Sequence, residues 1–116
     1  MSVLHEISIV KSIVDIVIES ASEHKINKVS KIVLKIGELS GVNEDNIRFA
    51  FDAMKIDSIM ESAELEILKV EGKGFCNKCE KEFNIDHYNK VCPICSRYVD
   101  EIISGYELLI DSFNGE

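Results

Sequence analysis

Four cysteines, Cys76, Cys79, Cys92 and Cys95, stand in the pattern C-x2-C-x12-C-x2-C. Each C-x2-C pair can close two thiolates around one tetrahedral ion. The loop from Glu80 to Val91 is long enough to bring the second pair back over the first. Four thiolates with no fifth cysteine predict a closed structural Zn(II) site that keeps no open position for a substrate. The module around them has few apolar side chains: Phe75, Phe83, Ile85, Tyr88, Val91 and Ile94. A segment of about 33 residues supplied so sparsely cannot fold on burial alone. Zinc is expected to contribute the missing free energy, on the order of 10 kcal/mol for a structural site. Pro93 falls inside the second pair, where a knuckle turn accepts its fixed φ. A thioredoxin-like redox role would need only one pair and a βαβ setting, and is the weaker reading. The spacing alone does not give a function, because zinc ribbons occur in many settings.

The rest of the chain reads as an α/β domain interrupted by this module. Ile7, Val10, Ile13, Val14, Val17, Ile18 and Ala21 recur at three- and four-residue steps and predict an amphipathic helix over 5–24. Its many β-branched residues lower helix propensity, so packing must stabilise it. Ile32, Leu34 and Ile36 alternate with Lys31 and Lys35 as in a half-buried strand over 29–36. Asn43 followed by Glu44 and Asp45 is a helix start, with Asn43 as cap. Ile47, Ala50, Phe51 and Met54 mark that second helix. Further strands are expected at 65–70 and 106–110. Gly72, Gly74 and Gly105 suit the chain reversals where a module leaves and rejoins a sheet. The predicted class is α+β: a small mixed three-stranded sheet with two helices, plus an inserted four-cysteine zinc ribbon. The expected division is a discontinuous domain, 1–71 with 105–116, and a ribbon over 72–104.

Composition excludes several functions. The net charge is −8 with neutral histidines, and four thiolates on a divalent zinc add roughly −2 more. Such a chain repels phosphate backbones, which argues against a nucleic-acid regulator. No run of about 18 apolar residues exists to span a membrane. The start lacks a basic segment ahead of an apolar core, which points away from a signal peptide and towards the cytoplasm. There, paired cysteines are more often metal ligands than disulfides. No Ser/His/Asp arrangement or phosphate-binding loop is present, and Gly72-Lys73-Gly74 lacks the rest of a nucleotide fingerprint. An enzyme is not expected.

Two further segments join the cysteines: His5-Glu6-Ile7-Ser8-Ile9-Val10, and Lys35-Ile36-Gly37-Glu38-Leu39-Ser40-Gly41-Val42. With the module and with Ile103-Ser104-Gly105-Tyr106-Glu107-Leu108, they closely resemble the HypA/HybF family from about His5 to Ile110. These parts are specific in combination and weak singly. Members are nickel metallochaperones for maturation of nickel–iron hydrogenase. The resemblance implies two metal sites: structural zinc on Cys76, Cys79, Cys92 and Cys95, and transported Ni(II) at the start of the chain. Carried over, His5 is the nickel-binding imidazole, and Glu6 adds its backbone nitrogen, with its carboxylate as a further candidate. Nickel(II) accepts square-planar or tetragonal nitrogen and oxygen ligands, so the donor types suit it. The implied partners are a nickel-insertion GTPase and the hydrogenase large-subunit precursor, with the chain a monomer or weak homodimer. A zinc-ribbon adaptor between proteins, with no nickel role, is the competing reading.

The sequence departs from the family at its start. Leu4 stands where the family's initiating methionine would be, after an extra Met1-Ser2-Val3. The extension moves the α-amine away from His5, which even after loss of Met1 is fourth where an amino-terminal nickel chelate wants histidine third. Either nickel takes a different ligand set here, or translation starts at Leu4 from an alternative codon. We lean to the second, which intact mass of the native protein decides. Asn43 occupies a place where some members carry an acid that approaches nickel; it reads as a helix cap, with Asn43, Glu44 or Asp45 as a nickel oxygen donor the remoter reading. His24 reads as structural at a helix end, and His87 as a bystander beside a coordination set already complete. Glu38 reads as a turn residue, with partner contact as the rarer role.

Overall fold

The computed structural model describes residues 3–116, with side chains from His5 onward. Its elements run α1 (Val3–Glu23), β1 (Val29–Gly37), α2 (Glu44–Met54), β2 (Glu64–Val70), β3 (Lys73–Cys76), β4 (Lys81–Asn84), β5 (Glu101–Ser104) and β6 (Leu108–Gly115). They form two three-stranded sheets, ordered β2-β1-β6 and β4-β3-β5. The chain divides into two compact units: 3–34 with 42–67 and 110–116, and 35–41 with 68–109.

In the first unit α1 packs on α2. Val10, Val17, Ala21, Val29, Ile32, Leu34, Ile47, Phe51 and Met60 form its core, each at most 3% exposed. The buried row on α1 begins one residue earlier than the apolar periodicity suggests. Glu6 is fully buried and continues the line of Val10, Ile13, Val14 and Val17, while Ile18 is turned out, 41% exposed. The residues 6, 10, 13 and 17 lie on one helix face by their three- and four-residue steps, and a charged side chain on that face goes inward with its neighbours. On β1 the Lys31/Lys35 side is not wholly solvated, because Val29 and Val33 on that side are also buried. The start of α2 is as expected: Asn43 is extended, and its Oδ1 accepts from the Asn46 backbone N–H at 3.0 Å.

Strand β6 runs five residues past its expected end. Residues 111–115 are mostly polar, so alternation gives no strand signal there. Backbone bonds hold the segment regardless: Glu116 N donates to Lys28 O, Asn27 N and Lys28 N donate to Glu116 O, and Ser30 Oγ donates to Asn114 O. An edge strand tolerates such polar residues because one of its sides faces water.

The second unit is built on β3, which pairs antiparallel with β4 and with β5; Phe75 opposes Glu82 on one side and Glu101 on the other. These four-residue strands carry no readable alternation. Cys76, Cys92, Ile85 and Val99 form a small core, while Tyr88, Val91 and Ile94 are exposed. Only Ile85 of the apolar side chains counted from sequence is buried, so the module is poorer in burial than its composition suggests.

This unit also takes in 35–41, beyond the 72–104 boundaries expected from the glycines. The reason is a close meeting of backbones. A Cβ on Gly37 would lie 2.0 Å from Gly105 O, and one on Gly105, whose φ is +122°, would lie 2.8 Å from Gly72 Cα. Leu39 N donates to Gly105 O, and Gly37 N donates to Glu107 O. Glu38 is held in the same junction, its Oε2 accepting from Gly72 N at 3.2 Å. Its turn carboxylate therefore has a structural task.

Candidate metal centres

The ribbon brings its four cysteines together. The Sγ atoms of Cys76, Cys79, Cys92 and Cys95 all lie within 4.8 Å of one another, and Cys76 Sγ is 3.6 Å from Cys95 Sγ. A tetrahedral zinc with Zn–S bonds of about 2.3 Å sets its sulfurs about 3.8 Å apart. The donor set and its spacing fit a closed four-thiolate zinc centre. Cys76 and Cys92 are buried, while Cys79 and Cys95 are half-buried. Among the described residues no other group of three or more His, Cys, Asp or Glu donors is so arranged, and His87 is not part of this one.

Each pair sits on a knuckle of the same construction. Glu80 N donates to Cys76 O at 2.8 Å, and Ser96 N donates to Cys92 O at 2.9 Å. Both closing residues are left-handed, with φ of 53° at Glu80 and 62° at Ser96. Such turns aim backbone N–H groups at sulfur. The Cys95 and Ile94 N–H groups bring the Cys92 thiol down to about 7, against the opposing effect of burial. Burial, reinforced by hydrogen bonds to the other three cysteines, pushes Cys79 up to about 12. Without metal one sulfur is thus prepared as thiolate and another retains its proton. A divalent ion reverses that balance, because a ligating thiol is deprotonated outright.

At the other end of the chain, His5 is exposed on the first turn of α1. Glu6 beside it points inward. Its Oε2 accepts from Asn43 N at 3.3 Å, and its Oε1 is buried without a hydrogen-bond partner among the described residues. Asn43 Oδ1 is committed to Asn46 N, and Glu44 Oε1 accepts from Arg48 Nη2. So the first turn of α1 and the cap of α2 meet through one carboxylate. Spacing did not disclose this contact, since the partners lie 37 residues apart. The question of a start at Met1 or Leu4 turns on side chains outside those described. His24 is structural, its Nδ1 lying 2.8 Å from Ser20 O one turn back.

Fold and cysteine cluster together define a small α+β protein carrying a four-cysteine zinc-ribbon module. A family profile described as hydrogenase/urease nickel incorporation metallochaperone, hypA, matches residues 4–115. Similar relatives include the hydrogenase maturation factor HypA of Geobacter metallireducens, 40% identical over 113 residues, covering 97% of this chain and 100% of the relative. That of Prosthecochloris aestuarii is likewise 40% identical over the same shares. A solution structure of a HypA protein aligns with a TM-score of 0.69 at 27% identity, covering 97% of each chain. The Helicobacter pylori nickel metallochaperone HypA aligns with a TM-score of 0.66 at 24% identity, over 95% of this chain and 96% of that one, a likeness of fold. The chain belongs to the HypA family of hydrogenase maturation factors. It is a metallochaperone and not an enzyme.

Proposed function

We propose that the chain binds Ni(II) at its amino-terminal end through the His5 imidazole and the Glu6 backbone nitrogen, and delivers it during maturation of nickel–iron hydrogenase. The observation that carries this reading is the opposite placement of two neighbours: His5 exposed, Glu6 fully buried. An exposed imidazole can be offered to a partner and exchanged. With α1 beginning at Val3, the Glu6 nitrogen lies at the end of the first turn, so its use by nickel requires that turn to fray. The inward Glu6 carboxylate is the weaker candidate donor, and its part is to seat the first turn.

In this reading the nickel site belongs to 1–71 with 105–116, and the zinc-bearing 72–104 module is a scaffold or partner platform. The receiving partners are a nickel-insertion GTPase and the hydrogenase large-subunit precursor, met in the cytoplasm by a monomer or weak homodimer. No helix among the described residues is long and apolar enough to cross a membrane. The family description names urease as well as hydrogenase, so both are candidate destinations. Equilibrium dialysis of zinc-loaded protein against micromolar nickel tests the proposal. His5→Ala is expected to abolish stoichiometric uptake while zinc content stays unchanged. No uptake by the unsubstituted chain would favour the adaptor reading instead.

A further inference from the structure

The two knuckles share a construction but differ at one position. In the second, Pro93 follows the first cysteine and its ring fixes φ. In the first, the same position is Asn77, which has an ordinary backbone and a free N–H to place. That N–H donates to Asp100 Oδ2 at 2.8 Å. Asp100 is itself tied down: its Oδ1 accepts from Arg97 Nη2 at 3.3 Å, and its own N–H donates to Phe75 O at 3.1 Å. Arg97 O in turn accepts from Cys92 N at 2.8 Å. One carboxylate, 21% exposed, therefore links the turn that carries Cys76 and Cys79 to the segment leaving the turn that carries Cys92 and Cys95.

We propose that Asp100 is a positioning residue for the zinc centre, holding the first knuckle in the metal-ready shape that Pro93 imposes covalently on the second. The donors of a metal site must be arranged before the ion arrives, or binding has to order them. Groups behind the ligands, though they never touch the ion, typically govern affinity by about 10–100-fold. Asp100 acts through the Asn77 backbone N–H and the Arg97 guanidinium, not through a sulfur ligand. The equivalence of the two turns supplies its own test. A proline at 77 would remove the N–H that Asp100 accepts and supply the restraint that Pro93 gives the other turn. Cys76 ends strand β3, and an extended residue is what a following proline requires.

Zinc affinity is measured by competition with a colorimetric chelator, alongside the absorption spectrum of the cobalt(II)-substituted protein, for the unsubstituted chain, D100A and the double variant N77P/D100A. D100A is expected to bind zinc about 10–100-fold more weakly and to shift the cobalt ligand-field bands. The double variant is expected to recover affinity to within about threefold, with the original cobalt bands, because the ring replaces the lost restraint. A D100A affinity within about threefold of the original would overturn the proposal. So would a weakened D100A that proline at 77 fails to rescue, since Asp100 would then support the ribbon generally. If D100A cannot fold around zinc at all, recovery in the double variant still decides.

Discussion

Glu6 carries one carboxylate oxygen bonded to a backbone N–H and one with no hydrogen-bond partner among the described residues. An orphaned buried acceptor costs about 1–3 kcal/mol, and so does an orphaned donor. Glu6→Met removes the first penalty and creates the second at Asn43, with volume nearly kept. Its stability, by urea denaturation of zinc-loaded protein, is expected within about 1 kcal/mol of the original. Glu6→Ala adds a cavity, and is expected to lose about 2–4 kcal/mol. A large loss in the methionine variant would mean that the carboxylate is better satisfied than its contacts indicate. The family resemblance made Glu6 a nickel donor through its backbone nitrogen, with its carboxylate as a further candidate, and gave no sign that the side chain is buried. Burial of Glu6 could have been read from its four- and seven-residue steps to Val10 and Ile13, but the charge disguised it. Its bond to Asn43 had no local signal at all.

At the scale of elements, periodicity served where segments were long. Helix α1, strand β1 and the Asn43-capped α2 carry enough residues for three- and four-residue or alternating patterns to repeat, and their ends fall close to expectation. Strands β3, β4 and β5 have four residues each and could be inferred only from the cysteine spacing that requires a ribbon. The polar end of β6 is held by backbone bonding, which side-chain patterns do not report. The knuckles hold a prediction of their own. Glu80 and Ser96 close them with left-handed backbones, a conformation that strains a residue with a Cβ by about 1–2 kcal/mol. Glycine removes that strain but is freer when unfolded, by about 0.5–1 kcal/mol. Ser96→Gly is therefore expected to raise ribbon stability by up to about 1 kcal/mol, read as a higher chelator concentration at the midpoint of unfolding. A lower midpoint would mean that the turn is relaxed as it stands.

At the scale of the whole chain, the spacing of Cys76, Cys79, Cys92 and Cys95 gave the zinc module, and the family resemblance supplied nickel. The division between the units was only partly legible. Gly72 and Gly105 marked the crossing, but the pull of Gly37, Glu38 and Leu39 into the second unit comes from backbone approach between distant residues. Because so little apolar surface is buried around the cysteines, chelation of zinc is expected to unfold β3–β5 while the helical ellipticity of α1 and α2 persists. The proton balance adds a signature. Because the metal-free module is expected to be unfolded, its thiols keep their ordinary value of about 8.5. Each zinc is therefore expected to displace about four protons at pH 7, and fewer as pH rises through about 8.5. Release that stays flat up to about pH 9.5 in a pH-stat titration would contradict this.

The central claim is that two metals occupy separate donor sets, zinc on sulfur and nickel on nitrogen near His5. Nickel K-edge X-ray absorption on zinc-loaded protein with equimolar nickel tests it most directly. The account predicts nitrogen and oxygen neighbours with imidazole scattering that disappears in His5→Ala. Sulfur in the nickel shell, unaffected by loss of His5, would contradict it.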